Sequence, residues 1–125
     1  MTPEQLLERL EQDPESVAFE QVMDLIAEHY RYTPTRFVNG SADDPLINEA
    51  GSNEGSCRIF ALGLLLGLDE PSTLACFGRY YREDVLGHPG GSDHMNIRSF
   101  MRHGWSGIRF DAPALERLQG RLQPL

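Results

Sequence analysis

The sequence has 125 residues, a formal net charge of -8, 40% hydrophobic residues and 24% charged residues. This is the composition of one soluble globular domain, long enough to bury a core without disulfides or a metal ion. An acidic chain without a basic cluster excludes nucleic acid and anionic membranes as partners, which leaves proteins and small molecules.

The absence of lysine and the presence of two cysteines limit the reactions and the cellular location that the protein can have. All 11 basic residues are arginine, so reactions that need a lysine amine are excluded. Cys57 and Cys76 are the two cysteines, and no apolar leader or membrane-length apolar run is present. We therefore expect two free thiols in a protein made in a reducing cytoplasm, with no cofactor.

Two amphipathic helices are predicted at the start of the chain. Thr2, Pro3 and Gln5 form the pattern of a capping box with proline at the first helical position. The apolar residues of the second helix recur at i, i+3, i+4, i+7 and i+11, and they are Phe19, Val22, Met23, Ile26 and Tyr30. Each helix should pack one face on the core.

One strand and a long loop are predicted next. Residues 32–38 are rich in aromatic and β-branched side chains, and Asn39-Gly40 favours a turn after them. Residues 41–53 have little apolar content and are typical of a loop. Asn39, Asn48 and Asn53 are expected to hold this loop by side-chain hydrogen bonds.

The middle of the chain predicts two more helices. Residues 56–66 are apolar on nearly every side, which indicates a buried central helix that ends at Gly67. Asp69 can begin another helix with apolar residues at helical spacing as far as Val85. A strand over residues 73–77 is the alternative there.

Three short elements are predicted at the end. Ser92 or Asp93 can cap a helix that buries Ile97, Phe100 and Met101 and stops at Gly104. A strand over 105–110 follows, and then a terminal helix begins at Asp111 and includes Leu115, Leu118 and Leu122. The sum is an α+β fold: a single small domain, with helices packed on a small β-sheet.

Ordered short motifs connect the chain to a known family. They are Phe37-Val38-Asn39-Gly40, Asn48-Glu49-Ala50-Gly51, Asn53-Glu54-Gly55-Ser56-Cys57, Phe77-Gly78, Tyr81-Arg82, Asp84-Val85-Leu86, Asp93-His94, Asn96-Ile97-Arg98 and Gly104-Trp105. With these motifs the chain resembles the HopJ type III effector family, named for proteins that plant-pathogenic bacteria deliver into host cells. The resemblance implies one small mixed α and β domain over residues 1–125 and a role in virulence. It implies no catalytic or binding residue.

The beginning of the chain bears on where the protein works. Its first fifteen residues form a capped, Glu-rich helix, whereas type III export signals tend to be unfolded and rich in serine. We therefore expect the bacterial cytoplasm as the location, with delivery into a host cell by a type III system as the alternative. The expected state is a monomer or a weak homodimer.

A thiol enzyme is one functional hypothesis. Cys57 lies in the first turn of a predicted helix, where the helix dipole can lower the pKa of a thiol. His94 can act as its base, and Asn96 or Asp93 can orient the ring; with Asn96 the order is the Cys, His, Asn order of papain-like enzymes. A buried cysteine and a histidine near a helix start are the alternative interpretation.

A binding site for an anion is the second hypothesis. Arg82 and Arg98 can form a bidentate clamp beside the Gly90-Gly91 loop and the helix that follows it. Asn53 belongs to the same candidate ligand site, and so does Trp105, which stands beside glycine. No metal site is expected, because the histidines lack the spacing of known sites.

The sequence favours the binding hypothesis. The predicted protein is a HopJ-type domain that binds a protein or a small anionic ligand. The thiol hydrolase or transferase with Cys57 and His94 is the alternative.

Overall fold

The computed structural model describes residues 1–118, in which helices pack on two small antiparallel sheets. The helices are α1 (Pro3–Gln12), α2 (Phe19–His29), α3 (Glu54–Leu66), α4 (Glu70–Ala75) and α5 (Met95–His103). The strands are β1 (Tyr30–Tyr32), β2 (Phe37–Ser41), β3 (Asp44–Asn48), β4 (Ile108–Phe110) and β5 (Leu115–Arg117). Short helical segments add Pro14–Ser16 and Gly104–Gly107, which are 3₁₀, and Tyr80–Val85, which is π-helical. The predicted α+β class is confirmed.

The first two helices agree with their sequence patterns. The Thr2 hydroxyl accepts from the Gln5 backbone N–H at 3.0 Å, and the Gln5 side chain accepts from the Thr2 N–H at 2.8 Å, which completes the capping box. Val22 and Ile26 of α2 are buried, while Tyr30 follows the helix as the first residue of β1. Among the described helices none is long and apolar enough to cross a bilayer.

The strand and loop predicted for residues 32–53 are only partly present. Phe37 and Val38 do lie in a strand and residues 49–53 are a loop, but residues 33–36 are not a strand and residues 44–48 form one. Pro34 interrupts the predicted strand, so the chain forms β1 before it and β2 after it. β2 continues through Asn39 and Gly40 to a turn at residues 42 and 43, and β3 returns antiparallel beside it. The segment expected to be a loop is thus half of a hairpin, and β4 pairs with the other edge of β2.

The core forms around α3. Phe60 is fully buried, and its ring contacts the rings of Phe37, Phe77, Phe100 and Trp105 at centroid distances from 4.9 to 6.3 Å. Aromatic pairs in this range add about 0.5–1.5 kcal/mol each to the effect of buried area. The sequence predicted that the central helix, α3, is buried on nearly every side. This prediction fails near the C-terminal end of α3, where side chains are exposed.

Two leucines mark that exposed end. Leu64 and Leu65 are 53% and 51% exposed, whereas the residues from Ile59 to Gly63 are buried. Gly67 then ends α3 in the left-handed conformation, as predicted, with φ 67°.

Several boundaries after α3 differ from their predictions. The single helix predicted from Asp69 to Val85 is instead α4, a turn and the π-helical segment, and the alternative strand over 73–77 is absent from the described chain. α5 begins after His94, so neither Ser92 nor Asp93 is its cap, and Met101 is exposed. α5 ends at Gly104, as predicted, but Gly104 has φ 63° and ψ -158° and is not in the left-handed helical conformation.

The last strands also correct the prediction. Residues 104–107 form a 3₁₀ turn, so the strand predicted from Trp105 begins only at Ile108. The terminal helix is wrong at residues 115–117, which form β5 and pair with β1. Leu122, the last residue of that predicted helix, lies outside the described residues.

Candidate functional site

A polar cleft of about 450 Å³ lies where α3 and α5 begin. Its walls carry aromatic and aliphatic groups from α2, β3, the π-helical segment and the turn before it. Amide, hydroxyl and imidazole groups come from the two helix starts. The lining residues are Phe19, Leu46, Asn53, Gly55, Ser56, Phe77, Tyr80, His94, Met95, Asn96 and Ile97.

The residues before both helices have an unusual backbone. Asn53 has φ 49° and ψ 50°, and His94 has φ 50° and ψ 50°, so both are left-handed. They are the two non-glycine residues of the described chain with positive φ. Neither side chain caps its helix, so the first backbone N–H groups of α3 and α5 depend on other partners. Such a conformation costs about 1–3 kcal/mol per residue and is concentrated at functional sites.

A network of asparagine side chains joins this cleft to the hairpin. All four asparagines of the sequence take part, and Asn39, Asn48 and Asn96 are buried. The Asn48 Oδ1 accepts from the amides of Asn96 at 2.9 Å and Asn53 at 2.7 Å. The Asn96 Oδ1 accepts from Asn48 and Asn39, both at 3.1 Å. β2 and β3 therefore fix the starts of α3 and α5 relative to each other.

The asparagine interpretation from the sequence is confirmed in part. Side-chain hydrogen bonds do hold this region, but Asn39 and Asn48 lie in strands. Both bind Asn96 of α5, and Asn48 also binds Asn53 in the loop before α3. The Oδ1 of Asn39 has no hydrogen-bond partner within the described chain, although the residue is fully buried.

His94 stands between two carboxylates at the edge of the cleft. Its Nε2 lies 2.9 Å from Asp84 Oδ2 and 3.8 Å from Asp93 Oδ2. The imidazole also packs beside the Tyr80 ring, with centroids 5.2 Å apart. On the other side of Asp93, Arg98 Nη2 donates to Oδ1 at 2.6 Å, and this guanidinium holds the pKa of Asp93 below its ordinary value.

Cys57 does not belong to the cleft. It is 1% exposed, and its thiol donates to the Thr35 carbonyl at 3.6 Å. Burial raises the pKa of the thiol, although the Tyr32 hydroxyl opposes this change. The structure therefore brings together Asn53, His94 and Asn96 of the predicted site, and it leaves Cys57 outside that group.

The predicted arginine clamp is divided between two places. Arg82 donates to the carbonyls of Val17 at 2.7 Å and of Pro14 and Ala75 at 3.4 Å, so it joins the first 3₁₀ turn to α4. Arg98 is buried and donates to Asp93 and to the carbonyls of His88 and Pro89. Both guanidinium groups are used by the fold, and a ligand-binding role for either stays a prediction.

Trp105 also lies away from the cleft. Its Nε1 donates to the Leu68 carbonyl at 2.8 Å, and its ring packs edge-on against Phe100. Its predicted ligand contact is likewise untested.

Sequence inspection missed Asp84 and Ser56. The sequence indicated Asp84 only as part of a family motif and Ser56 only as the start of a predicted helix and part of a motif. One signal in the sequence could have indicated this region. The four asparagines of the chain all lie in β2, in β3 or at the starts of α3 and α5.

The fold and the cleft define a small single-domain α+β protein with one polar cavity between two helix starts. Its family is established by comparison: the chain belongs to the HopJ type III effector protein family, whose model matches residues 3–115. A crystal structure of a protein of unknown function, VPA0580, is similar to this chain with 50% identity and a TM-score of 0.87. The match covers 92% of each chain. No curated protein matches the chain.

Proposed function

We propose that this HopJ-family domain acts by binding, and that the cleft between α3 and α5 holds a small organic anion. One observation carries the proposal: Asn53 and His94, the two left-handed non-glycine residues of the described chain, both stand at this cleft. Each costs folding free energy, and each leaves the start of a helix without a side-chain cap. Helix starts of this kind present backbone N–H groups to negative charge.

The walls indicate what else the ligand carries. Phe19, Phe77 and Tyr80 supply aromatic surface, while Asn53 and Ser56 supply an amide and a hydroxyl. A volume of about 450 Å³ is within the range of small-molecule sites. An aromatic or branched carboxylate, with its apolar part on the aromatic wall, fits this chemistry better than a bare inorganic ion.

The charge around the cleft favours the α3 end for the anionic group. Asp84 and Asp93 lie beside His94 at the α5 end, and their carboxylates repel an anion there. The first turn of α3 carries one carboxylate, Glu54, which accepts from the Tyr32 hydroxyl at 2.9 Å, against two carboxylates at the α5 end. We therefore assign the anionic group to the backbone of Gly55 and Ser56.

The thiol enzyme predicted as the alternative lacks comparable support. An activated cysteine needs a lowered pKa and access to substrate. Cys57 has a raised pKa and almost no exposure, and its hydrogen bond leads to Thr35 and away from His94.

Amide chemical shifts can test the binding proposal. Benzoate is titrated into ¹⁵N-labelled protein, and saturable shifts are expected at Gly55, Ser56 and Met95. In a Gly55→Ala variant the new Cβ would lie 2.9 Å from the Phe19 Cζ, so the ring or the methyl group must move into the cleft. We expect benzoate to bind at least about tenfold more weakly, which corresponds to about 1.4 kcal/mol.

A matched glycine controls for the added methyl group. Gly90 has open space around its Cβ position and no positive φ, so Gly90→Ala should bind benzoate like the wild type. Alanine also raises helix propensity at position 55, which favours a folded variant. Shifts that do not saturate, or equal affinity in both variants, would refute the anion site.

The place of action is part of the proposal. Family membership is consistent with secretion by a type III system, and the bacterial cytoplasm is the location expected from the sequence. We propose the cytoplasmic role for this member. A translocation reporter fused after residue 50 should stay in the bacterium, and its delivery into host cells by a type III system would contradict this.

A further inference from the structure

Three potential metal ligands converge where the π-helical segment meets the start of α5. The ligand atoms of Asp84, Asp93 and His94 all lie within 4.8 Å of one another. Two of the separations are the 2.9 Å and 3.8 Å from His94 Nε2 to the carboxylates. Ligands at about 2.0–2.2 Å from one ion stand about 3–3.5 Å apart, so small side-chain rotations suffice to complete a site.

A different structural feature fixes the position of each of the three residues. Asp84 belongs to the π-helical segment Tyr80–Val85, and π-helical insertions are rare and frequent at functional sites. His94 is left-handed and packs against Tyr80. The Asp93 Oδ1 accepts from Arg98, whose side chain is 7% exposed, which leaves Oδ2 on the side of His94.

The buried arginine gives Asp93 the kind of support that metal-binding carboxylates usually have. Carboxylate ligands are themselves hydrogen-bonded, and their partners fix the orientation of the free oxygen. An ion pair between His94 and Asp84 alone explains their 2.9 Å contact. It does not explain why Arg98 holds a second carboxylate at the same imidazole nitrogen.

Although no metal site was expected from the spacing of the histidines, we propose that Asp84, Asp93 and His94 bind one divalent first-row transition-metal ion. One imidazole nitrogen and two carboxylate oxygens suit Zn²⁺ or Mn²⁺ better than soft, thiolate-seeking ions. Three protein ligands leave at least one coordination position for water or for a ligand. A dication also balances the two carboxylates that otherwise repel an anion from this end of the cleft.

Calorimetric titration with Zn²⁺ tests the site. Untagged protein is treated with a chelator, freed of it and titrated with zinc chloride in a buffer that does not bind zinc. We expect one ion per chain for the wild type. Asp84→Asn and His94→Asn should each bind at least about tenfold more weakly. Asparagine at position 94 tolerates the left-handed backbone, so this variant keeps its fold.

His29 offers the matched control. Its Nε2 lies 2.9 Å from the Glu28 carboxylate, the same separation as in the His94–Asp84 pair. His29→Asn should therefore leave zinc affinity unchanged, and circular dichroism should show native spectra for all variants. A variant with a lost spectrum is replaced by Asp93→Asn, for which the same tenfold loss is expected.

Two results would overturn the proposal. One is a wild type that binds no zinc, and the other is zinc binding that persists in Asp84→Asn and His94→Asn or falls equally in His29→Asn. The titration contains no organic anion, and the benzoate titration contains no metal. Failure of one site therefore leaves the result for the other intact.

Discussion

Replacing Asn48 with alanine tests whether the asparagine network holds the cleft together. Asn48 is 1% exposed, and its Oδ1 is the shared acceptor for the amides of Asn96 and Asn53. After truncation, Asn96 Oδ1 still accepts from Asn39, but Asn96 Nδ2 loses its partner in a buried position. Asn53 is exposed and its amide can turn to water.

The expected loss of stability depends on the burial of the two amides that lose their acceptor. A buried amide without a partner costs about 1–3 kcal/mol, and the loss of the bond to exposed Asn53 adds about 0.5–1.5 kcal/mol. We therefore expect Asn48→Ala to lower the free energy of unfolding by about 1.5–4.5 kcal/mol. Urea unfolding followed by circular dichroism measures this as a lower midpoint at unchanged slope.

A double-mutant cycle with Asn96→Ala separates the network from simple loss of volume. Removing both amides removes the unpaired group, so the double variant should be more stable than the sum of the single effects by about 0.5–3 kcal/mol. Ser106→Ala is the control, because this exposed hydroxyl donates to the His103 carbonyl and should contribute little. A loss below about 1 kcal/mol for Asn48→Ala, or strict additivity in the cycle, would refute the reasoning.

Four further predictions concern the N-terminal cap of α1, the glycine that ends α5 and the two thiols. Thr2→Ala removes the capping hydroxyl of α1 and should cost about 1 kcal/mol in urea unfolding, whereas Glu8→Ala on the exposed face should not. Gly104→Ala places a side chain at φ 63° beside the Glu70 carboxylate and should cost at least about 1 kcal/mol; an unchanged melting temperature would contradict this. Burial raises the pKa of Cys76 from 9.0 to about 12. The folded chain thus holds this proton more tightly, so stability should fall as pH rises from 9 towards 12, with a smaller slope in Cys76→Ala. Iodoacetamide should label Cys57 slowly until the protein unfolds, and rapid labelling at neutral pH would revive the thiol enzyme.

Local signals explain which elements the sequence predicts well. The capping box at Thr2, the apolar period of α2 and the glycine after α3 each act within a few residues, and all three are present in the structure. Strand pairing is not local. β5 pairs Glu116 with Arg31, and the helical spacing of leucines in the last segment gave no sign of that partner.

The residues of the candidate site also differ in whether local sequence signals could reveal them. Asn53, His94 and Asn96 could be selected because polar residues at predicted helix starts are visible in the sequence. The separation of Arg82 from Arg98 could not be foreseen, since each guanidinium binds carbonyl groups whose positions depend on the tertiary fold. Asp84 was missed for a similar reason, because a π-helical turn has no clear sequence pattern.

Unfavourable local structure at the cleft also bears on its function. Left-handed Asn53 and His94 each cost about 1–3 kcal/mol, and a glycine would remove most of that cost at either position. Glycine would also remove the Asn53 amide that donates to Asn48 and the His94 imidazole that meets Asp84. The Asn53 side chain contributes to the fold through the network, and its backbone also leaves the start of α3 at the cleft without a side-chain cap. The His94 side chain contacts two carboxylates and the Tyr80 ring at the cleft edge, and its hydrogen-bonding nitrogen Nε2 faces the carboxylates. A ligand or metal role at His94 accounts for a strained histidine where glycine would fold more easily.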